Sequence, residues 1–129
     1  MKPLTREWVA KAEGDFVCVL REWRARKAPN YDALCFHAQQ CVEKYLQACL
    51  QEENLPPSRT HNLIELLEGL LPHHSQWESF RTPLNTLSQY AVAFRYPGES
   101  ADKAIARDAM AMCKMIRAEC RRTLGLHVS

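Results

Sequence analysis

Three side chains with useful chemistry at neutral pH lie close together in Phe36-His37-Ala38-Gln39-Gln40-Cys41-Val42-Glu43-Lys44-Tyr45-Leu46: His37, Gln40 and Lys44. Residues three, four and seven apart share a helical face. At about 100° per residue the three fall within a sector of roughly 60°. They lie beside the apolar stripe Leu34, Ala38, Cys41, Tyr45 and Ala48. An imidazole can move protons, an amide can read a hydrogen-bonding edge and an ammonium can meet phosphate. The competing reading is that this row is only the polar rim of a bundle helix. His61, in Thr60-His61-Asn62-Leu63, is a further candidate. Another set is Arg95-Tyr96-Pro97-Gly98, where proline fixes one dihedral and glycine permits unusual ones, so the chain turns straight after a helix. That turn presents a guanidinium fork and a phenol, with Tyr90 upstream on the preceding helix. Arginine there can hold phosphate through two parallel hydrogen bonds. Alternatively, Arg95 pairs with carbonyls at the helix end and Tyr96 packs in the core.

Other chemistries lack their residues. His37 and Cys41 stand four apart and His73 and His74 are adjacent, but the inward glutamates of a bundle di-metal centre are missing and no Cys/His set has zinc-finger spacing. No metal and no cofactor is expected. Gly14, Gly69, Gly98 and Gly125 are isolated, so no phosphate-cradling glycine loop is formed. No cysteine lies in a turn or at an obvious helix start, where a thiolate would be favoured.

Long helices must position these residues. Thr5 is the expected N-cap of a first helix carrying Trp8, Ala12, Phe16, Val19 and Trp23 inward. A second runs from about Tyr31 to Glu53 and stops at Asn54-Leu55-Pro56-Pro57. Thr60 is the expected cap of a short helix through Leu63, Leu66, Leu67 and Leu70, and residues 73–80 are ambiguous. Thr82-Pro83 reads as a cap followed by proline at the first helical position, opening a helix through Leu84, Leu87, Tyr90, Ala91 and Phe94. Ser100 or Asp102 then starts a last helix with Ile105, Ala109, Met112, Ile116 and Cys120 inward. No useful stretch alternates with period two. The expected fold is all-α: an up-and-down bundle of four main helices plus a short fifth, in one domain spanning residues 1–129.

The chain has 129 residues, 47% of them hydrophobic and 25% charged, which suits a globular domain. A net charge of +2 is too small to argue for nucleic acid by itself. Arg21, Arg24, Arg26 and Lys27 close one segment and Arg117, Arg121 and Arg122 another; these are either helix-dipole caps or nucleic-acid contacts. All six cysteines except Cys35 fit apolar helical positions, as expected of buried thiols in a reducing compartment. The start shows no signal-peptide core and no run suits a membrane span, so the cytoplasm is the expected location.

The pattern Phe36-His37-x-Gln39-Gln40-x-x-Glu43-Lys44-x-Leu46-x-Ala48, then Thr60-His61-x-Leu63-x-x-Leu66, then Arg95-Tyr96-Pro97, resembles the HEPN domain family. Trp8, Ala12, Asp15 and Ala104 match its general layout. The resemblance implies a helical homodimer, often encoded beside a small nucleotidyltransferase in a toxin–antitoxin-type pair. In such pairs the HEPN protein can be an RNA-cleaving toxin. Ribonuclease members carry an arginine followed, after four to six residues, by histidine. From Arg95 those positions are Ser100, Ala101 and Asp102, so the histidine is absent. Two functions follow. One is an interaction and nucleotide- or RNA-binding module in which Arg95 and Lys44 meet phosphate. The other is a divergent ribonuclease in which Arg95 stabilises charge and His37 or His61 moves protons. Catalysis requires a histidine within reach of a phosphate on Arg95. If His37 and Arg95 do not converge on one pocket, catalysis should be dropped.

Overall fold

The computed structural model describes residues 1–56 and 59–128. Within them the chain forms α1 (Pro3–Arg24), α2 (Tyr31–Glu52), α3 (Leu63–Leu70), a 3₁₀ segment (Ser75–Phe80), α4 (Arg81–Ala93) and α5 (Lys103–Thr123). No strand occurs among the described residues, and none of the helices is long and apolar enough to cross a membrane.

Helix α2 is the centre of the fold, in contact with α1, α5, α3 and α4. Its expected stripe of Leu34, Ala38, Cys41, Tyr45 and Ala48 is fully buried, and so are Cys35, Val42, Leu46 and Cys49. A helix apolar on so much of its surface is stable only with neighbours on several sides. Thr5 and Lys2 at the start of α1 both donate to Glu52 Oε1 at the end of α2, so these two helices run antiparallel. Asp32 Oδ1, near the start of α2, accepts from the backbone N–H of Ala101 just before α5. Tyr45 meets Arg121 near the far end of both, so α5 runs parallel to α2.

Several caps differ from expectation. Thr5 does not cap α1; Pro3 opens it after Lys2, and the buried Thr5 hydroxyl spends its donor on Glu52 at 2.9 Å. Asn62, not Thr60, caps α3, its side chain accepting from the N–H groups of Ile64 and Glu65, while Thr60 Oγ1 accepts from Asn62. An amide oxygen two residues closer to the apolar run wins the capping position. Thr82 is inside α4, because the 3₁₀ segment feeds directly into that helix and leaves no free end to cap. Asp102 caps α5, as one of the two expected alternatives. Gly125 closes α5 at φ +74°, with the Leu126 N–H bonded back to the Arg121 carbonyl at 2.8 Å.

The cysteine pattern is corrected in one place. Cys35 is fully buried and Cys18 only partly so. Burial and the nearby Asp32 carboxylate push the Cys35 thiol up to about 12, which makes it inert. For the cluster at the end of α5 the capping alternative is the nearer of the two: Arg121 Nε donates to the His127 carbonyl and Arg117 Nη1 to that of Val128, just beyond the helix. Arg117 is buried, holding Glu13 through Nε at 2.8 Å and Nη2 at 2.7 Å, and Arg121 meets Tyr45 and Glu13. Those two guanidinium groups bind the fold together and are spent for nucleic acid. Arg122 pairs with Glu119 at the surface.

Candidate functional site

Polar residues of α2 face two different neighbours. His37 and Lys44 turn toward α1, where both hold the buried carboxylate of Asp15: His37 Nδ1 lies 2.8 Å from Oδ1 and Lys44 Nζ 2.5 Å from Oδ2. A buried carboxylate is costly unless its charge is matched, and two cationic or donor groups on one partner helix meet that need. The expected row is thus divided: two of its members clamp α1 to α2. Gln40, the third, turns to the other side and donates to Gln39 Oε1 at 2.8 Å.

On that other side α2, the start of α3 and one face of α4 line an open pocket of about 700 Å³. Helix α2 contributes Phe36, Gln39, Gln40 and Glu43, which recur at three-, four- and seven-residue spacing and so form one face. His61 and Asn62 enter from the loop before α3. Asn85, Ser88 and Val92 come from α4, and Arg95 from the turn that follows it. The backbone N–H of Arg95 is fixed on the Val92 carbonyl at 3.3 Å, and Gly98 at φ +95° completes the turn. The Arg95 side chain is exposed, and no described residue engages its guanidinium. The alternative in which Arg95 pairs with carbonyls at the helix end is therefore not seen, and the fork is open to solvent.

Glu43 sits at the inner end, 4% exposed. Its Oε2 lies 3.2 Å from Nδ1 of His61, whose side chain is 87% exposed, and its Oε1 is buried with no partner among the described residues. The carboxylate orients the imidazole, leaving Nε2 as the nitrogen that can face a bound molecule.

The remaining sequence candidates take separate places. Tyr90 is partly buried against the core with its ring 5.7 Å from that of Phe94. Burial, reinforced by Asp108, raises its phenol, so it stays protonated. Tyr96 is 63% exposed, outside the core that one reading gave it. Of the proposed ligand-binding set, therefore, Gln40 and Arg95 share the pocket with His61, and His37, Lys44, Tyr90 and Tyr96 do not line it. His37 and Arg95 do not converge on one pocket, so the criterion set for catalysis is not met; of the two histidines named for proton transfer, it is His61 that shares the pocket with Arg95. Sequence reasoning missed Phe36, Gln39, Glu43, Asn85 and Ser88. A signal for the first three existed: a second row at 36, 39, 40 and 43, a phenylalanine followed by three polar residues, parallel to the one at 37, 40 and 44. Among the described residues no group of three or more histidine, cysteine, aspartate or glutamate side chains is arranged to hold a metal ion.

A family model described as HEPN domain matches residues 5–123, nearly the whole chain, and so spans every element that builds the pocket. No curated protein and no solved structure matches significantly. The helical order, the motifs on α2 and before α3, and this match together establish that the chain belongs to the HEPN domain family.

Proposed function

We propose that this chain is an interaction and nucleotide- or RNA-binding module, a single helical domain that works with a small nucleotidyltransferase in a toxin–antitoxin-type pair. Membership of the HEPN family supports a nucleotide- or RNA-related role in general. The observation that carries the finer reading is the pocket between α2 and α4, with the unengaged Arg95 guanidinium at its rim and the amides of Gln39, Gln40 and Asn85 along its wall. Guanidinium groups hold phosphate bidentately, and amides read base edges. The reading takes the four main helices as an up-and-down bundle with α3 as the short fifth element, assembled as a cytoplasmic homodimer. The antiparallel run of α1 against α2 and the parallel run of α5 support that bundle. Lys44 serves the module through Asp15 and the α1–α2 contact rather than through phosphate.

The test is expression in cells with and without an added nucleotidyltransferase. Capture of the partner with cellular RNA intact is the expected result. Failure to retain either the partner or a short RNA overturns the module.

A second reading, the divergent ribonuclease, has one observation in its favour: His61 lines the same pocket as Arg95 and is oriented by Glu43. In that reading His61 takes or gives a proton at Nε2 while Arg95 stabilises charge on phosphorus. RNA breakdown that is lost in His61→Ala, and retained in His37→Ala, would select it over the module.

A further inference from the structure

We infer that the edge where α1 and α5 lie side by side holds single-stranded RNA by its phosphate chain, on the side of α2 away from the pocket. Charge placement alone marks the surface; the choice of RNA as its polyanion rests on the RNA-binding reading above.

The net charge of +2 hides an uneven distribution. Lys103 and Arg107, from the first two turns of α5, both sit over the ring of Trp23 in the last turn of α1. Lys103 Nζ lies 5.8 Å from the ring centroid and Arg107 Cζ 5.6 Å. The face of the ring attracts each cation and so gathers two like charges at one seam. Lys114, seven residues beyond Arg107, continues the row on the same helical face. Arg21 and Arg24, in the last turn of α1, line a shallow depression with Val17, Leu20 and Ala25. Arg26 follows in the loop toward Asn30, which lines a second depression with Ser100 and Ala101 just ahead of α5. All six cations are exposed, and none of them pairs with a carboxylate among the described residues. The carboxylates adjacent in sequence are committed elsewhere. Glu22 accepts from the Asn30 N–H at 2.8 Å, Asp102 caps α5 through the Ile105 N–H at 2.8 Å, and Asp108 lies toward Tyr90 of α4.

Helix stability does not explain the arrangement. Arg21 and Arg24 suit the C-terminal end of α1, but Lys103 is the first residue of α5, where the helix dipole favours an anion. Clustered cations without a counter-charge repel one another and raise the local potential, and a polyanion relieves both. A phosphate chain is such a partner, because its binding to lysine and arginine releases condensed counterions. From Lys103 to Lys114 the row runs about 16 Å along α5 at 1.5 Å per residue, so it spans more than the single phosphate of a mononucleotide.

The experiment follows a fluorescently labelled oligouridine of 20 nucleotides by anisotropy as it binds the full chain, in salt from 50 to 200 mM. Four to six phosphate contacts on a single strand should weaken binding about 50- to 300-fold over that range. Lys103→Gln combined with Arg107→Gln removes two contacts, so the slope of log affinity against log salt should become shallower by about 1.4. Its melting temperature should stay near the parent's, since both side chains are exposed. UMP and AMP, which reach only the pocket, should bind the double variant as they bind the parent. An unchanged salt slope in the folded variant overturns the inference, and mononucleotide binding then leaves the pocket reading standing. A shallower slope without mononucleotide binding supports the inference and removes the pocket. Absence of RNA binding at 50 mM overturns the inference, and absence of mononucleotide binding as well overturns both. Tighter binding of polyglutamate or oligodeoxyuridine of the same length overturns RNA as the occupant. Should the double variant melt well below the parent, Arg26→Gln with Lys114→Gln decides by the same change in slope.

Discussion

Replacing Arg95 by alanine separates function from fold at the site. The side chain is exposed, lies beyond the last turn of α4 and has no partner among the described residues. The turn itself is made by backbone, through the Arg95 N–H on Val92 and the positive φ of Gly98, and both survive the substitution. Surface replacements of this kind change stability by no more than about 0.5 kcal/mol. For a chain of this size that is a shift in melting temperature of roughly 2 °C. Binding should respond differently. A charge-assisted hydrogen bond to phosphate contributes about 1.5–3 kcal/mol, so Arg95→Ala should weaken a nucleotide or short RNA by about 10- to 100-fold. The loss should shrink as salt rises, since the contact is exposed and screened. The assay is a thermal melt alongside titrations at two ionic strengths. A fall in melting temperature beyond about 5 °C would show that Arg95 is structural. Unchanged binding in a folded variant would place the phosphate elsewhere.

Three further predictions concern the supports of the site. His37→Ala should leave nucleotide binding within about twofold yet cost about 1–3 kcal/mol of stability, because it removes a partner of the buried Asp15; a chemical-denaturation midpoint paired with a binding curve checks this. Glu13→Ala should cost about 2–4 kcal/mol, since it strips the buried Arg117 of two hydrogen bonds and the Tyr45 hydroxyl of its acceptor, with some of the charge screened at the 31%-exposed carboxylate. Burial pushes the Glu13 carboxyl up, but hydrogen bonds from Arg117 and Tyr45 and the nearby Arg121 charge outweigh it, so the folded value lies low. Its stabilising contribution is therefore present above the unfolded value near 4.3 and is lost as pH falls through the depressed folded value. Denaturant midpoints followed from pH 6 to pH 3 should fall less steeply in Glu13→Gln than in the parent. Cys41→Ser should cost about 1–3 kcal/mol by placing a hydroxyl at a fully buried position, without a specific effect on nucleotide binding.

Apolar spacing was enough to predict the helices, because a 3.6-residue period and the prolines after residues 53 and 96 leave little choice of element. Leu34, Ala38, Cys41, Tyr45 and Ala48 were legible as core for that reason. Helix starts were less so. Thr5, Thr60 and Thr82 each had the right chemistry for a cap, but Thr5 found Glu52 across the α1–α2 contact, and Asn62 stood nearer the helix start than Thr60. Capping energies near 1 kcal/mol yield readily to such tertiary partners. The cysteine pattern failed at Cys35 because α2 is enclosed on more sides than a single stripe implies.

By itself the sequence determined the all-α class, the second helix from about Tyr31 to Glu53 and the family, all of which follow from local periodicity and from motifs contiguous in the chain. It also determined that no histidine follows Arg95 after four to six intervening residues, at positions 100–102. Only the tertiary structure decided how the row on α2 divides. His37 and Lys44 differ from Gln40 by at most about 60° on the helix, yet they go to Asp15 on α1 while Gln40 joins Arg95 and His61. The angle at which α1 and α4 approach α2 makes that division, and it depends on contacts between residues far apart in the chain. For the same reason Glu43 looks in the sequence like one more charged residue on a helix. It becomes a buried, half-satisfied carboxylate only when α3 and α4 close over it.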